Sequence, residues 1–229
     1  MNSFKRHMNI LDFTLSSLLR RKGRNTALIV VYTFVVFILA SVMFFTHAIK
    51  KEAAVVLNSA PEIVVQRIIA GRHDLMPSEY MAKTKDIRGV RSVKGRLWGY
   101  YFDPIAGANY TLMVADPANP FAGIDLSKVA DGNIIIGSGI SRVRLAYEGD
   151  VMPFRAHNGN PVYLNIAGIL PSESELISAD IILISEKDFR ALFGISQGRF
   201  TDLTLNVINP REVQTVARKI TEILPDTSP

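Results

Sequence analysis

The 229-residue chain contains no cysteine, which excludes a disulfide scaffold, thiolate metal sites and cysteine catalysis. That absence leaves the compartment open, because a domain able to bury a substantial core folds outside the cytoplasm without disulfides. Turn residues are missing from one end: of 15 glycines and 11 prolines, only Gly23 precedes residue 60, so the first sixty residues lack the punctuation of a turn-rich fold. Charge is missing too, with no Lys, Arg, Asp or Glu from Asn25 to Ile49. The net charge of +5 and the isoelectric point near 9.5 would suit a polyanion ligand, but the excess is local. Residues 1–26 hold Lys5, Arg6, Arg20, Arg21, Lys22 and Arg24 against the single acid Asp12, while the remainder carries 20 bases and 20 acids. A neutral body has no overall field for nucleic acid, and that class of partner is set aside.

What occupies the uncharged stretch is a run of 19 residues, Ala27 to Phe45, of which 13 are Leu, Ile, Val or Phe. At 1.5 Å rise such a run spans roughly 28 Å, close to the hydrocarbon thickness of a bilayer. Its Leu, Ile, Val and Phe residues sum to roughly −4 to −8 kcal/mol of insertion free energy. The run is longer than a signal-peptide core and is followed by Lys50, Lys51 and Glu52 rather than a small-residue cleavage site, which predicts an uncleaved transmembrane helix over residues 25–49. Four bases between Arg20 and Arg24 precede the span and two lysines follow it. The positive-inside rule therefore predicts a cytoplasmic segment 1–24 and an extracytoplasmic domain over 50–229. Within the first segment, Leu11, Leu15, Leu18 and Leu19 share one helical face, predicting an amphipathic helix from Asn9 to Arg21 on the cytoplasmic surface, with a bend at Gly23.

The fold class expected is α+β: the N-terminal transmembrane helix, then a mixed α+β extracytoplasmic domain. Strands are predicted over Glu62–Ala70, Ser92–Phe102, Tyr110–Ala115, Asn133–Ile136, Pro161–Leu170, Asp180–Ile184 and Asp202–Val207. Helices are predicted over Pro77–Lys85, Gly139–Tyr147 and Glu186–Phe193, the last capped by Ser185. In the final helix Asn209 caps, Pro210 takes the first turn, and Val213, Val216, Ala217, Ile220 and Leu224 form one apolar face before Pro225.

Signals for chemistry are few. There is no G-x-x-x-x-G-K-[ST] loop, and Gly137-Ser138-Gly139 reads as a strand-to-helix turn that fails the hydrolase elbow pattern. His7, His47, His73 and His157 show no metal-ligand spacing. His73 lies in the polar run Gly71-Arg72-His73-Asp74, read as a solvated turn, and Pro171 to Glu175 (PSESE) as a solvated acidic loop. Trp98, Tyr100, Tyr101 and Phe102 form an aromatic cluster expected to pack at the core and edge of a strand. No catalytic, cofactor-binding or metal-binding residue is assigned, and the chain is not expected to be an enzyme.

The order of parts resembles the MacB/FtsX-like permeases of ABC transporters, specifically their first transmembrane helix and MacB-like periplasmic core domain. The similarity runs through NILDFTLSSLLRRKGRNTALIVVYTF, KKEAAVVLNSAPEIVVQR, DIRGVRSVKGRLWGYY, NIIIGSGISRVRLAYEGD, YLNIAGILPS and DLTLNVINPREVQTVARKITEILP. Such permeases carry further spans after the external domain, so residues 1–229 correspond to their first half. The resemblance implies a permease subunit of the bacterial inner membrane working as a dimer. A separate cytoplasmic ABC ATPase subunit would drive movement of the periplasmic domain for export or extraction of substrates, with an adaptor or lipoprotein as a further partner. The alternative from another class is a single-pass membrane-anchored periplasmic sensor or binding module.

Overall fold

A computed structural model describes residues 8, 16, 20–116, 125–170 and 179–229. The chain divides into two units, Met1–Asn58 and Ser59–Pro229. In the first, α1 runs from Lys22 to Ser59. Within its Lys22–Lys51 stretch, an 18-residue window has a mean hydropathy of 2.8 and none of that window is buried by protein. Phe34, Phe37, Phe44 and Phe45 all stand exposed. A helix apolar on every side has no polar face for water and is matched by lipid. The expected break at Gly23 is not there: Gly23 lies inside α1 and the turn falls at Arg21. One helical glycine costs only about 1 kcal/mol, too little to interrupt a helix of this length. The expected amphipathic helix from Asn9, with His7 before it, lies outside the described residues apart from Ser16, Arg20 and Arg21.

The second unit contains thirteen described strands in chain order: β1 (Ile63–Ile69), β2 (Arg72–Asp74), β3 (Met76–Pro77), β4 (Val90–Arg96), β5 (Trp98–Asp103), β6 (Ala108–Val114), β7 (Asn133–Ile136), β8 (Val151–Arg155), β9 (Pro161–Ile169), β10 (Ile181–Ile184), β11 (Arg199–Phe200), β12 (Asp202–Val207) and β13 (Thr227–Ser228). The helices after α1 are α2 (Glu79–Lys85), α3 (Ser138–Arg144), α4 (Glu186–Phe193) and α5 (Val213–Ile223). The mixed α+β class is as expected.

The strands form two lobes. In the split lobe, the order is β13-β1-β12-β4, with β2 also on β1. Its core joins Ile63, Val65, Leu203, Leu205 and Val207 of the sheet to Val216, Ile220 and Leu224 of the last helical segment, the apolar face read from the sequence. Asn209 does cap, its Oδ1 accepting from the Arg211 N–H, but the first turn, Pro210–Glu212, is a 3-10 helix and the α-helix starts at Val213. The inserted lobe is a six-stranded sheet, β5-β6-β10-β7-β9-β8. Alternate residues of its strands, including Leu112, Ile134, Ile136, Leu164, Ile166, Ile182 and Ile184, fill one core with Phe189 and Leu192 of α4. Ser185 caps α4, accepting from the Asp188 N–H.

One expected strand proves to be two. Ser92–Phe102 is interrupted at Leu97, where β4 leaves the split lobe and β5 begins the inserted one. At the switch itself Leu97 turns inward and packs in the second core, between Gly95 and Gly99. The helix expected at Gly139–Tyr147 is shorter, closing at Leu145 in a left-handed conformation while Ser141 Oγ donates to the Ala146 carbonyl. Gly139 is required there by close approach, since a Cβ would strike the Ala179 backbone carbonyl. That packing accounts for the Gly-Ser-Gly turn without any ligand.

Candidate functional site

Chain passes between the lobes at two adjacent points, Arg96–Trp98 going out and Phe200–Asp202 coming back. The antiparallel register sets Arg96 opposite Asp202. Asp202 is fully buried, and its carboxylate accepts from Arg96 Nε at 2.8 Å, Arg96 Nη2 at 2.7 Å and Trp98 Nε1 at 2.8 Å. Three donors, one pair of them a bidentate guanidinium fork, compensate a charge that burial would otherwise penalise by several kcal/mol. Thr201 completes the crossing. Its N–H donates to the Arg96 carbonyl at 2.8 Å, while its Oγ1 donates to the Trp98 carbonyl at 2.8 Å and accepts the Trp98 N–H at 3.1 Å.

The apolar side of the junction is Phe200, which touches both cores. Its ring lies so close to Gly95 that any Cβ there would overlap it. Arg190 of α4 sits over that ring at 5.7 Å and donates from Nη1 to the Ser196 and Arg199 carbonyls at 2.7 and 3.1 Å. His73 also borders this junction, exposed as expected but on a strand rather than in a turn. It is the middle residue of β2, and its Nε2 lies 2.9 Å from the Thr201 carbonyl. The lobes are therefore fastened by charge-assisted bonds, hydroxyl bonds and one shared aromatic ring.

A second cluster stands where the chain enters and leaves the split lobe. Strand β13 lies antiparallel on β1, with Arg67 opposite Thr227, and the Ile68 N–H donates to the Asp226 carbonyl at 2.8 Å. Arg67 donates from Nε to Asp226 and from Nη1 to Asp74, each at 2.8 Å. Tyr80 of α2 donates its hydroxyl to Asp226 Oδ2 at 2.9 Å. The bond from Arg67 holds the Asp226 carboxyl below its ordinary range, overcoming the opposing effect of burial. Burial, then the bond to Asp226, raises the Tyr80 phenol.

Within the inserted lobe, Tyr110 is buried beside Asp103, whose Oδ2 lies 3.3 Å from Arg144 Nε. Burial, reinforced by the Asp103 charge, pushes the Tyr110 phenol up to about 12.

The aromatic cluster is divided by strand alternation. Trp98 joins the junction, Tyr101 turns inward, and Tyr100 and Phe102 stand exposed. His47 lies in α1, His157 packs with its Nδ1 3.3 Å from the Ala191 carbonyl, and the PSESE loop falls outside the described residues. Among the described residues, no group of three or more His, Asp or Glu is arranged to hold a metal ion. Sequence reasoning missed the junction and the entry–exit cluster, whose members are separated by more than a hundred residues.

The fold is similar to two solved external domains. One is the extracellular domain of the noncanonic ABC-type transporter YknZ from Gram-positive bacteria, at a TM-score of 0.45 and 11% identity, covering 72% of this chain and 97% of that one. The other is the periplasmic region of MacB from Actinobacillus actinomycetemcomitans, at a TM-score of 0.43 and 8% identity, covering 72% and 85%. No family model and no curated protein matches the sequence.

Proposed function

We infer that the chain is the N-terminal portion of a membrane permease subunit of the MacB/FtsX type. In this reading a partner ABC ATPase hydrolyses ATP in the cytoplasm, and the movement reaches a periplasmic domain that exports or extracts substrates. The observation that carries the reading is the shared corner of the split lobe. Strand β1 brings the chain in, β13 lies antiparallel beside it, and Arg67 ties the two together. A domain that receives and returns its chain at one edge suits insertion between two membrane segments, where a rigid first helix can pull on both connections at once. The interlobe junction would then carry that pull outward.

The basic cluster Arg20–Arg24 supports a cytoplasmic N-terminus in the bacterial inner membrane, with residues 1–24 inside, 25–49 crossing and 50–229 in the periplasm. A dimer of permeases, a periplasmic adaptor or lipoprotein, and hydrophobic compounds, peptides or lipoproteins as cargo belong to the same reading. The test is affinity purification of the tagged protein from its native membranes in mild detergent, with the co-purifying proteins identified by mass spectrometry. A P-loop ATPase in near-stoichiometric amount is the expected result. Repeated recovery without one would overturn the permease reading in favour of a single-pass sensor or binding module.

A further inference from the structure

The six-stranded sheet curls until its two edge strands, β5 and β8, face each other across a groove of about 390 Å³ lined by Tyr100, Tyr101, Phe102, Pro104, Arg155 and Ala156. The strands do not pair. One bond crosses the gap, from the Arg155 N–H to the Tyr101 hydroxyl at 2.9 Å, with the Tyr101 and Phe154 rings 5.1 Å apart beneath it.

The two edges are not equivalent. Tyr100 is opposite Thr111, whose own N–H turns away to the Asp180 carbonyl, so Tyr100 and Phe102 direct their N–H and C=O groups out of the ladder toward the groove. Trp98, two residues earlier, follows the same alternation and spends both groups on Thr201. On β8, Pro153 has no donor and the Arg155 N–H is taken by Tyr101. One edge is thus blunted and the other open. The only charged residue of the lining is Arg155, which is exposed.

We propose that β5 accepts an extended peptide segment of a partner protein as an added strand, with an Asp or Glu of that segment paired to Arg155. The exposed rings of Tyr100 and Phe102 flank it, backbone bonds supply affinity, and the carboxylate sets register. This inference stands apart from the permease reading and does not depend on an ATPase.

The probe is a display library of nine-residue peptides selected against the full chain in detergent micelles, followed by synthesis of the best binder and of its backbone N-methylated form. Enriched peptides are expected to alternate apolar and polar residues around an acid. Binding is expected to slow hydrogen exchange at the Tyr100 and Phe102 amides, to fail on N-methylation, and to weaken about tenfold in Arg155→Gln. Phe102→Pro, which removes a donor the β6 ladder does not use, is expected to abolish it; Trp98 fluorescence checks that this variant is folded, and Arg155→Gln decides if it is not. No peptide binding tighter than millimolar, binding that survives N-methylation, or binding indifferent to Arg155→Gln would each overturn the proposal.

Discussion

Replacing Arg96 by alanine should destabilise the domain over Ser59–Pro229 more than replacing Asp202, although the two form one pair. Asp202 is fully enclosed while the Arg96 side chain keeps 32% of its surface exposed. Without Arg96 the carboxylate is left with the Trp98 indole N–H as its remaining side-chain donor, and breaking a buried pair in this direction costs about 3–5 kcal/mol. Without Asp202, the part-exposed guanidinium recovers water, so about 2–3 kcal/mol is expected. Replacing both together, as Arg96→Met with Asp202→Leu, removes the stranded charge and should return most of the loss. The assay is urea unfolding of the full chain in micelles, followed by far-UV circular dichroism and by the fluorescence of Trp98, the one tryptophan in the sequence. Because that indole donates to Asp202, its emission reports on the junction itself. Single-variant costs below about 0.5 kcal/mol, or a double-mutant coupling that small, would refute the view that this pair secures the end of the β4–β12 ladder where Trp98 docks.

Gly95→Ala drives a methyl group into the Phe200 ring and should cost about 1–3 kcal/mol, with Phe200→Leu restoring part of the midpoint in the same titration. The Tyr110 phenol, raised in the folded state to about 12 from an ordinary 10.0, contributes stability that is complete below pH 10 and lost as pH rises toward 12. That loss is about 2–3 kcal/mol, and Tyr110→Phe should flatten it in alkaline melts. Asp226 is depressed below 3.8, so its contribution is present above that pH and disappears as pH falls through the folded value. Asp226→Asn should speed hydrogen exchange at Ile68 and Thr227 while leaving the inserted lobe unchanged, and wild type should show the same loosening in acid. Finally, single cysteines introduced at Ser3 and Ser127 of this cysteine-free chain should react oppositely with an impermeant maleimide on intact cells, Ser127→Cys labelled and Ser3→Cys protected. Equal labelling would contradict the proposed orientation.

The span was legible because its signal is local: a run of Leu, Ile, Val and Phe with charge only at its ends. The core strands β1, β6, β7, β9, β10 and β12 were legible for a similar reason, each carrying enough β-branched or alternating apolar residues to declare itself. Strand β8 escaped notice because Pro153 sits in its middle, a position tolerable only on an edge. Strands β2, β3, β11 and β13 are two or three residues long and exist through partners distant in sequence. The junction was invisible for the same reason. Arg96 and Asp202 are ordinary residues until a register places them opposite each other, and no spacing rule links positions 106 apart.

Strands β4 and β12 form an antiparallel ladder from Val90 to Arg96, with the six-stranded lobe inserted at its end and β11 pairing with β3 on the way back. To the split lobe, the whole six-stranded lobe is a loop closing a hairpin. A short turn joining Arg96 to Asp202 would leave that ladder continuous, so the inserted lobe could be exchanged, enlarged or discarded while the split lobe kept its register. Variation in the inserted lobe and constancy of the ladder that holds it would then fall on different stretches of the same chain.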